Sequence, residues 1–258
     1  MSQPPVVPTR FALLKAAFAP RLRLEREWGI GETGWIIYLA HDLSRDRQVC
    51  LKVFSSGLTQ RIDPERFRTG VGRTARLEHP HILPILDCGE TAGYLWLTLP
   101  VPEGETLRDR LEREQRLPMT DALRIAREVA LALDYAHRQG VIHGELEPGM
   151  VWLTPEGRTL VAFPEGWRKR DAEPPRPTTR SDIYSVGVIL YEMLTGTLEG
   201  DASGTLPLLS RIPSALRPVI ARATAASPDD RYSSAAELAQ ALERAGRRSW
   251  LSRILRRE

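Results

Sequence analysis

The stretch RSDIYSVGVILYEMLTG, residues 180–196, decides the fold of this chain. Its apolar residues fall on nearly every face of a helix, whereas a surface helix carries an apolar stripe on one side only. A Ser and an Asp precede the apolar run and Gly196 follows it, the usual signals for the start and the end of a helix. The stretch therefore predicts a helix at the centre of a core.

Further helices are expected on both sides of this central segment. Thr120 is expected to cap a helix whose apolar residues recur every three or four positions and which Gly140 closes. Ser234 and Glu237 have the spacing of a capping box, and the helix that they open is expected to stop near Gly246. This part of the chain predicts a helical region built around residues 180–196.

The first hundred residues have a different character, with one predicted helix at residues 64–78 among strand-like segments such as RLRLERE, WIIYLAHD, RQVCLKVF and GYLWLTLP. We expect an α+β fold with a small β-rich N-lobe, residues 22–101, and a larger helical C-lobe, residues 102–245. A Pro-rich, flexible arm is expected at residues 1–21 and a basic amphipathic tail at residues 246–258.

Composition narrows the class of protein. The 258 residues are 42% hydrophobic and 27% charged, a balance that excludes a disordered chain. The longest apolar run is about nine residues, against the roughly 18 that a membrane span needs. The N-terminus lacks the pattern of a secretory signal, and Cys50 and Cys88 form no metal-ligand spacing. These features predict a protein of the reducing cytoplasm.

A glycine-rich turn and a strand lysine carry the first chemical signal. Gly29, Gly31 and Gly34 form G-x-G-x-x-G between two predicted strands, and Lys52 follows in VCLK. Lysine is rare here, with three among 36 Lys and Arg residues, so a lysine inside a strand stands out. Glycines let a backbone approach phosphates closely, and an ammonium can neutralise them. This combination resembles the glycine-rich loop and strand lysine of protein kinases.

Four later segments extend the resemblance in the order and spacing of that family: HPHIL, VIHGELEPGM, the stretch at residues 180–196, and SPDDRYSSAAELAQAL. The chain is identified as a degenerate member of the bacterial Hanks-type Ser/Thr protein kinases over residues 22–245. The resemblance implies a bilobal kinase-like fold. It also implies a set of nucleotide contacts, namely Gly29, Gly31, Gly34, Ile36, Lys52, Leu99 as gatekeeper, and Val101, whose N–H lies between two prolines.

The groups that perform phosphoryl transfer in the family are missing from their positions. Glu145 stands at the catalytic aspartate, so no catalytic residue is intact, and Glu147 replaces a lysine. Met150 and Phe163 occupy the two metal-ligand positions, and neither side chain offers the oxygen that Mg²⁺ requires. Gly70 stands where the partner glutamate of the strand lysine is expected. The resemblance therefore implies a pseudokinase without a metal site.

Three functions remain open on this sequence. The first is a non-catalytic regulatory or scaffolding module, for which the sequence leaves metal-free ATP binding open. The second is a weakly active Ser/Thr kinase that uses Glu145 as its base. The third is a small-molecule phosphotransferase of the aminoglycoside type, because HGELEPGM also resembles the corresponding loop of antibiotic kinases.

Several residues have a structural interpretation beside the functional one. The three glycines are also compatible with a tight hairpin that binds nothing. The resemblance implies that His143 and Asp182 are structural, with the aspartate bracing the catalytic-loop backbone. Arg231 has lost the glutamate that is its family partner, and Glu173 is one candidate replacement.

The basic tail and the pseudokinase interpretation suggest partners. A protein partner is expected, with an active kinase as one candidate. Residues 247–258 carry five Arg and one Glu, and as a helix they place Leu251, Ile254 and Leu255 on one face. Such a helix suits an anionic membrane surface, here the inner face of the membrane, although a frayed helix end explains the same residues. Aromatic residues are too few for a nucleic-acid stacking platform, so no nucleic acid is expected.

Overall fold

The computed structural model describes residues 9–30, 35–54, 64–164, 177–197 and 212–254. The chain divides into two compact units. Among the described residues, the N-lobe unit contains those up to residue 76 and 83–102, and the C-lobe unit contains residues 77–82 and those from 103 onward. The α+β prediction, with a strand-rich N-lobe and a helical C-lobe, is confirmed.

The N-lobe is built on a five-stranded antiparallel sheet with the strand order β1-β2-β3-β5-β4. Its strands are β1 (Leu22–Ile30), β2 (Trp35–Asp42), β3 (Arg47–Phe54), β4 (Asp87–Thr91) and β5 (Tyr94–Pro100). Two helices contribute to its core, α1 (Arg10–Phe18) and α2 (Pro64–Thr74). Side chains alternate between the faces of a strand, and the two faces belong to separate clusters, one with α1 and the other with α2.

Helix α1 belongs to the N-lobe core rather than to a flexible arm. Its N-cap is Thr9, whose hydroxyl accepts a hydrogen bond from the backbone N–H of Ala12. Leu14 and Phe18, one turn apart, are 0% and 2% exposed, and the Phe18 ring meets the Trp96 ring edge-on at 5.7 Å. Part of the stretch expected as a flexible arm thus packs against one face of the sheet.

The C-lobe packs its helices around one large apolar cluster. Its helices are α3 (Leu107–Glu114), α4 (Met119–Arg138), α5 (Thr179–Thr195), α6 (Arg217–Ala223) and α7 (Ala235–Ile254). A small antiparallel sheet joins β6 (Glu105–Thr106), β7 (Val151–Leu153) and β8 (Thr159–Val161). The central-helix prediction is confirmed by α5, where ten of seventeen residues are buried.

Four predicted helix ends differ from those observed, the first being the end of α2 at Thr74 rather than at residue 78. Helix α4 begins at Met119 after Pro118, so Thr120 lies inside its first turn and does not cap it. Helix α5 is capped by Thr178, with Ser181 completing the capping box from the third position. Helix α7 continues past Gly246 to Ile254, because an isolated glycine weakens a helix without ending it. None of the described helices is long and apolar enough to cross a bilayer.

Candidate functional site

In the C-lobe, the side chain of Asp182 holds the backbone of the segment that corresponds to the catalytic loop. This carboxylate lies in the first turn of α5 and is fully buried. Its oxygens accept hydrogen bonds from the backbone N–H groups of His143 (2.9 Å) and Gly144 (2.7 Å). His137, at the end of α4, places its Nε2 2.7 Å from the same carboxylate. A buried carboxylate with three donors is a strong local constraint, so this part of the scaffold is present.

His143 is a second buried polar group of the same loop. Its Nε2 donates a hydrogen bond to the carbonyl of Ala162 at 3.0 Å, and its Nδ1 accepts from the backbone N–H of Glu145 at 3.4 Å. Burial lowers the pKa of His143 to about 4, so the ring is neutral at physiological pH. A neutral ring with one donor and one acceptor nitrogen fits both bonds.

The side chains at the catalytic and metal-ligand positions of this loop are less buried than Asp182 and His143, which hold its backbone. Glu145 and Glu147 are exposed, and Met150 is half-buried at the end of a short 3-10 turn. The backbone of Met150 is used structurally, because its N–H donates to the Glu147 carbonyl and its carbonyl accepts from Ala162. The thioether occupies the position of a metal-binding amide and offers sulfur where Mg²⁺ requires oxygen.

Phe163 follows β8 and lies in the core. Its side chain is buried, and its ring centroid is 4.8 Å from that of His143. The neighbouring residues are Ala162 and Pro164, so a shift of the alignment by one position in either direction brings no side-chain oxygen. The second metal-ligand position is therefore filled by an aromatic group that packs on the catalytic-loop histidine.

In the N-lobe, Lys52 lies at the middle of β3 and shares a face with residues of β2 and β5. It stands opposite Ile37 on β2 and Leu97 on β5, and paired residues in a sheet point to the same side. Cys50 and Leu99 pair with each other two residues along, on that same face. Leu99, the expected gatekeeper, therefore lies on the same sheet face as Lys52, and its contact with a nucleotide stays a prediction.

The register does not put Ile36 on the face of Lys52. Ile36 pairs with Val53, points to the opposite side, and is buried in the cluster that contains α1. Ile37 takes the place expected for Ile36. A shift of one residue exchanges the two faces of a strand. The position counted from the G-x-G-x-x-G motif was Ile36, one residue before the residue that lies on the face of Lys52.

The remaining predicted nucleotide contacts are partly described. Gly29 lies at the end of β1, has no left-handed φ, and a Cβ built on it meets no atom within 4 Å. Gly31 and Gly34 fall outside the described residues. Val101 directly follows β5, and of residues 100–102 it alone has a backbone N–H to offer.

Trp35 is the residue that sequence reasoning missed. It begins β2, points to the face of Lys52, and is 1% exposed. The Lys52 Nζ lies 5.1 Å from the centroid of its indole ring, within the range of a cation–π contact. The sequence signal for this contact was the position of Trp35 directly after the glycine-rich turn, since a large aromatic residue there must be accommodated next to the lysine.

Among the described residues, the hydrogen-bond acceptors of Arg231 are backbone carbonyls and not a carboxylate. Its guanidinium donates to three backbone carbonyls, those of Ala225 (2.8 Å), Arg180 (3.0 Å) and Ala226 (3.3 Å). It also lies 4.7 Å from the ring centroid of Tyr184. The proposed alternative partner, Glu173, is outside the described residues. Carbonyl oxygens here act as acceptors for a group whose acidic partner the sequence lacks.

Comparison with known proteins gives consistent matches. Residues 22–158 match the protein kinase domain family. The chain is 33% identical to serine/threonine-protein kinase PknE of Mycobacterium bovis, over 85% of this chain and 45% of that protein. It is 32% identical to PknH of Mycobacterium tuberculosis (86% and 41%) and 27% identical to a probable PknB of Lactococcus lactis (86% and 41%).

The chain spans less than half the length of these curated relatives. The family match nevertheless covers more than half of this chain and includes the glycine-rich turn, the strand lysine and the catalytic-loop segment. Together with the N-lobe sheet and the Asp182-braced loop, the match shows that this chain belongs to the protein kinase family.

Proposed function

We propose that this protein is a pseudokinase, a kinase-fold module that regulates or scaffolds a partner and does not transfer phosphate. The carrying observation is Phe163, which is buried against His143 at a position where phosphoryl transfer needs a metal-binding carboxylate. Met150 stands at the other metal position. The described residues thus hold the backbone of the catalytic loop but supply no oxygen ligand at either metal position.

The residues present do not fit Mg²⁺. This ion prefers six oxygen ligands in near-octahedral geometry, usually including one or two carboxylates. Among the described residues, no group of three His, Cys, Asp or Glu side chains stands close enough to hold a metal ion. Glu147 adds an exposed negative charge where the family has a lysine. At about 4 Å and an effective dielectric near 20, it would repel a phosphate charge by about 4 kcal/mol.

A weakly active Ser/Thr kinase is the second candidate, favoured by one feature of the loop. Glu145 is an exposed carboxylate at the position of the catalytic base, and Asp182 holds the preceding backbone. The matched relatives are named serine/threonine-protein kinases, which supports protein rather than aminoglycoside substrates for any remaining activity. This candidate needs metal ligands from outside the described residues.

Phosphate transfer from radiolabelled ATP separates the two candidates. The purified chain is incubated with Mg²⁺ or Mn²⁺ and a generic protein acceptor, beside Glu145→Gln and the surface control Glu90→Gln. We expect no transfer above background by any of the three proteins. Transfer by the wild type and by Glu90→Gln, with loss in Glu145→Gln, would establish the kinase and remove the pseudokinase proposal.

Partners and location are further parts of the proposal. A kinase fold that does not transfer phosphate can still bind another protein. We therefore propose a protein partner, with an active kinase as one candidate. The described backbone of α7 reaches Ile254, which supports the helical form that a membrane-binding tail needs. We propose a cytoplasmic protein that touches the anionic inner face of the membrane through residues 247–258. Salt-sensitive sedimentation with phosphatidylglycerol vesicles tests this, and unchanged binding after deletion of residues 247–258 would contradict it.

A further inference from the structure

Trp35 lies beside Lys52, the lysine that the family resemblance assigns to a phosphate contact. On the sheet face of Lys52, it lies diagonally across from the lysine, because Trp35 pairs with Phe54 and Ile37 pairs with Lys52. Diagonal neighbours on one face are within reach of an aromatic and a long side chain. The ammonium lies 5.1 Å from the indole centroid.

Aromatic packing holds the indole between the sheet and α2. Its ring centroid is 3.6 Å from that of Phe54 and 6.2 Å from that of Phe67 on α2. Val71, one turn further along α2, belongs to the same buried cluster. Gly70 lies between these two helix residues in sequence and has no side chain, although the resemblance places a glutamate there. The indole thus takes a position beside Lys52 on the side of α2.

One polar atom of the indole has no partner among the described residues. The Trp35 Nε1–H is buried and has no hydrogen-bond acceptor in the described part of the chain. An unsatisfied buried donor is unfavourable, and it becomes satisfied when the ring moves toward water or toward an acceptor oxygen. Aromatic contacts favour the observed position of this ring, called closed below, and the N–H that lacks an acceptor among the described residues opposes it.

We propose that Trp35 determines which ligands the Lys52 face accepts. In the closed position, its indole binds the ammonium and fills the space beside it, so a nucleotide polyphosphate is rejected until the ring leaves. This proposal concerns ligand binding alone. It stands or falls separately from the proposed loss of phosphate transfer, because a site can bind ATP and transfer nothing.

A series of substitutions at Trp35 tests the proposal through binding of a fluorescent methylanthraniloyl-ATP in EDTA. Trp35→Ala and Trp35→Met remove the ring, whereas Trp35→Phe keeps an aromatic face, and Trp28→Ala removes a tryptophan that is 40% exposed. We expect binding at least about tenfold tighter than wild type in the first two variants only, because the cation–π contact of Lys52 with the ring is removed. Adding Lys52→Ala to Trp35→Met should remove the gain.

Equal affinity of wild type, Trp35→Met and Trp35→Ala, each with a folded circular-dichroism spectrum, would overturn the proposal. Should the ring-removing variants fail to fold, acylation of lysines in the wild type decides the question. Lys15 is exposed and serves as the internal reference for Lys52. We expect millimolar ATP to leave the ratio of Lys52 to Lys15 labelling unchanged, and specific protection of Lys52 by ATP would show that Trp35 does not close the site.

Discussion

In the catalytic loop of the C-lobe, buried polar contacts hold the backbone while the chemical positions carry Met150 and Phe163. On the Lys52 face of the N-lobe, the cation is present and an indole lies against it. The C-lobe loop keeps its hydrogen-bonded scaffold and carries Met150 and Phe163 at the expected metal positions, whereas the N-lobe keeps the strand lysine and packs an indole against it. Contacts that stabilise the fold are present in both regions, and the two regions differ in how many of the family's chemical positions carry the expected side chain.

The largest expected effect tests whether the Asp182 contacts stabilise the C-lobe. Asp182→Ala leaves two buried N–H groups and His137 without their acceptor, at a cost of about 4 kcal/mol of unfolding free energy. For a chain of this size, the melting temperature should fall by about 10 °C in a calorimetric scan. Asp229→Ala, at an exposed carboxylate, is the control. Equal stability of both variants would mean that the scaffold contacts are not needed for folding.

The pH dependence of stability tests the second buried group of the loop. Burial lowers the pKa of His143 from 6.5 to about 4, so the folded state favours the neutral ring. The contribution of about 3 kcal/mol is fully present above pH about 6.5 and is lost as the pH falls toward 4. His143→Phe should flatten this part of the curve of unfolding free energy against pH in urea. An identical slope in wild type and variant would place the titration elsewhere.

A third test concerns the face of the N-lobe sheet that packs against α1, opposite to the face of Lys52. Phe18→Ala removes a buried ring of α1 and should cost about 3 kcal/mol of unfolding free energy. Leu13→Ala, on the same helix at 48% exposure, should change it by less than about 0.5 kcal/mol. Chemical denaturation of both variants is the measurement. Similar small effects would mean that α1 contributes little and that 1–21 is an arm after all.

The smallest effect concerns Arg231, whose acceptors among the described residues are three backbone carbonyls. Arg231→Lys loses the planar fork that reaches three carbonyls and should cost about 1 to 2 kcal/mol. Arg244→Lys, at an exposed position of α7, provides the matched comparison in the same urea titration. If the two variants have the same midpoint, the carbonyl contacts do not contribute to stability.

Helix α5 and the sheet strands could be predicted because each depends on a local pattern. The face of Ile36 could not, since it depends on where β2 begins after the glycine-rich turn, and one residue reverses it. The packing of Trp35 and of Phe18 also escaped prediction. Both depend on contacts with residues distant in sequence, Phe67 and Trp96, which no periodicity reveals.

The burial of Leu14 and Phe18 separates two kinds of boundary in this chain. The match to the protein kinase family begins at residue 22, yet the apolar core of the N-lobe begins eight residues earlier, at Leu14. A fragment cut at residue 22 would uncover Tyr38 and Trp96, side chains that α1 shields from water. Such a fragment should aggregate or recruit another apolar segment, so the smallest autonomous folding unit starts ahead of the family boundary.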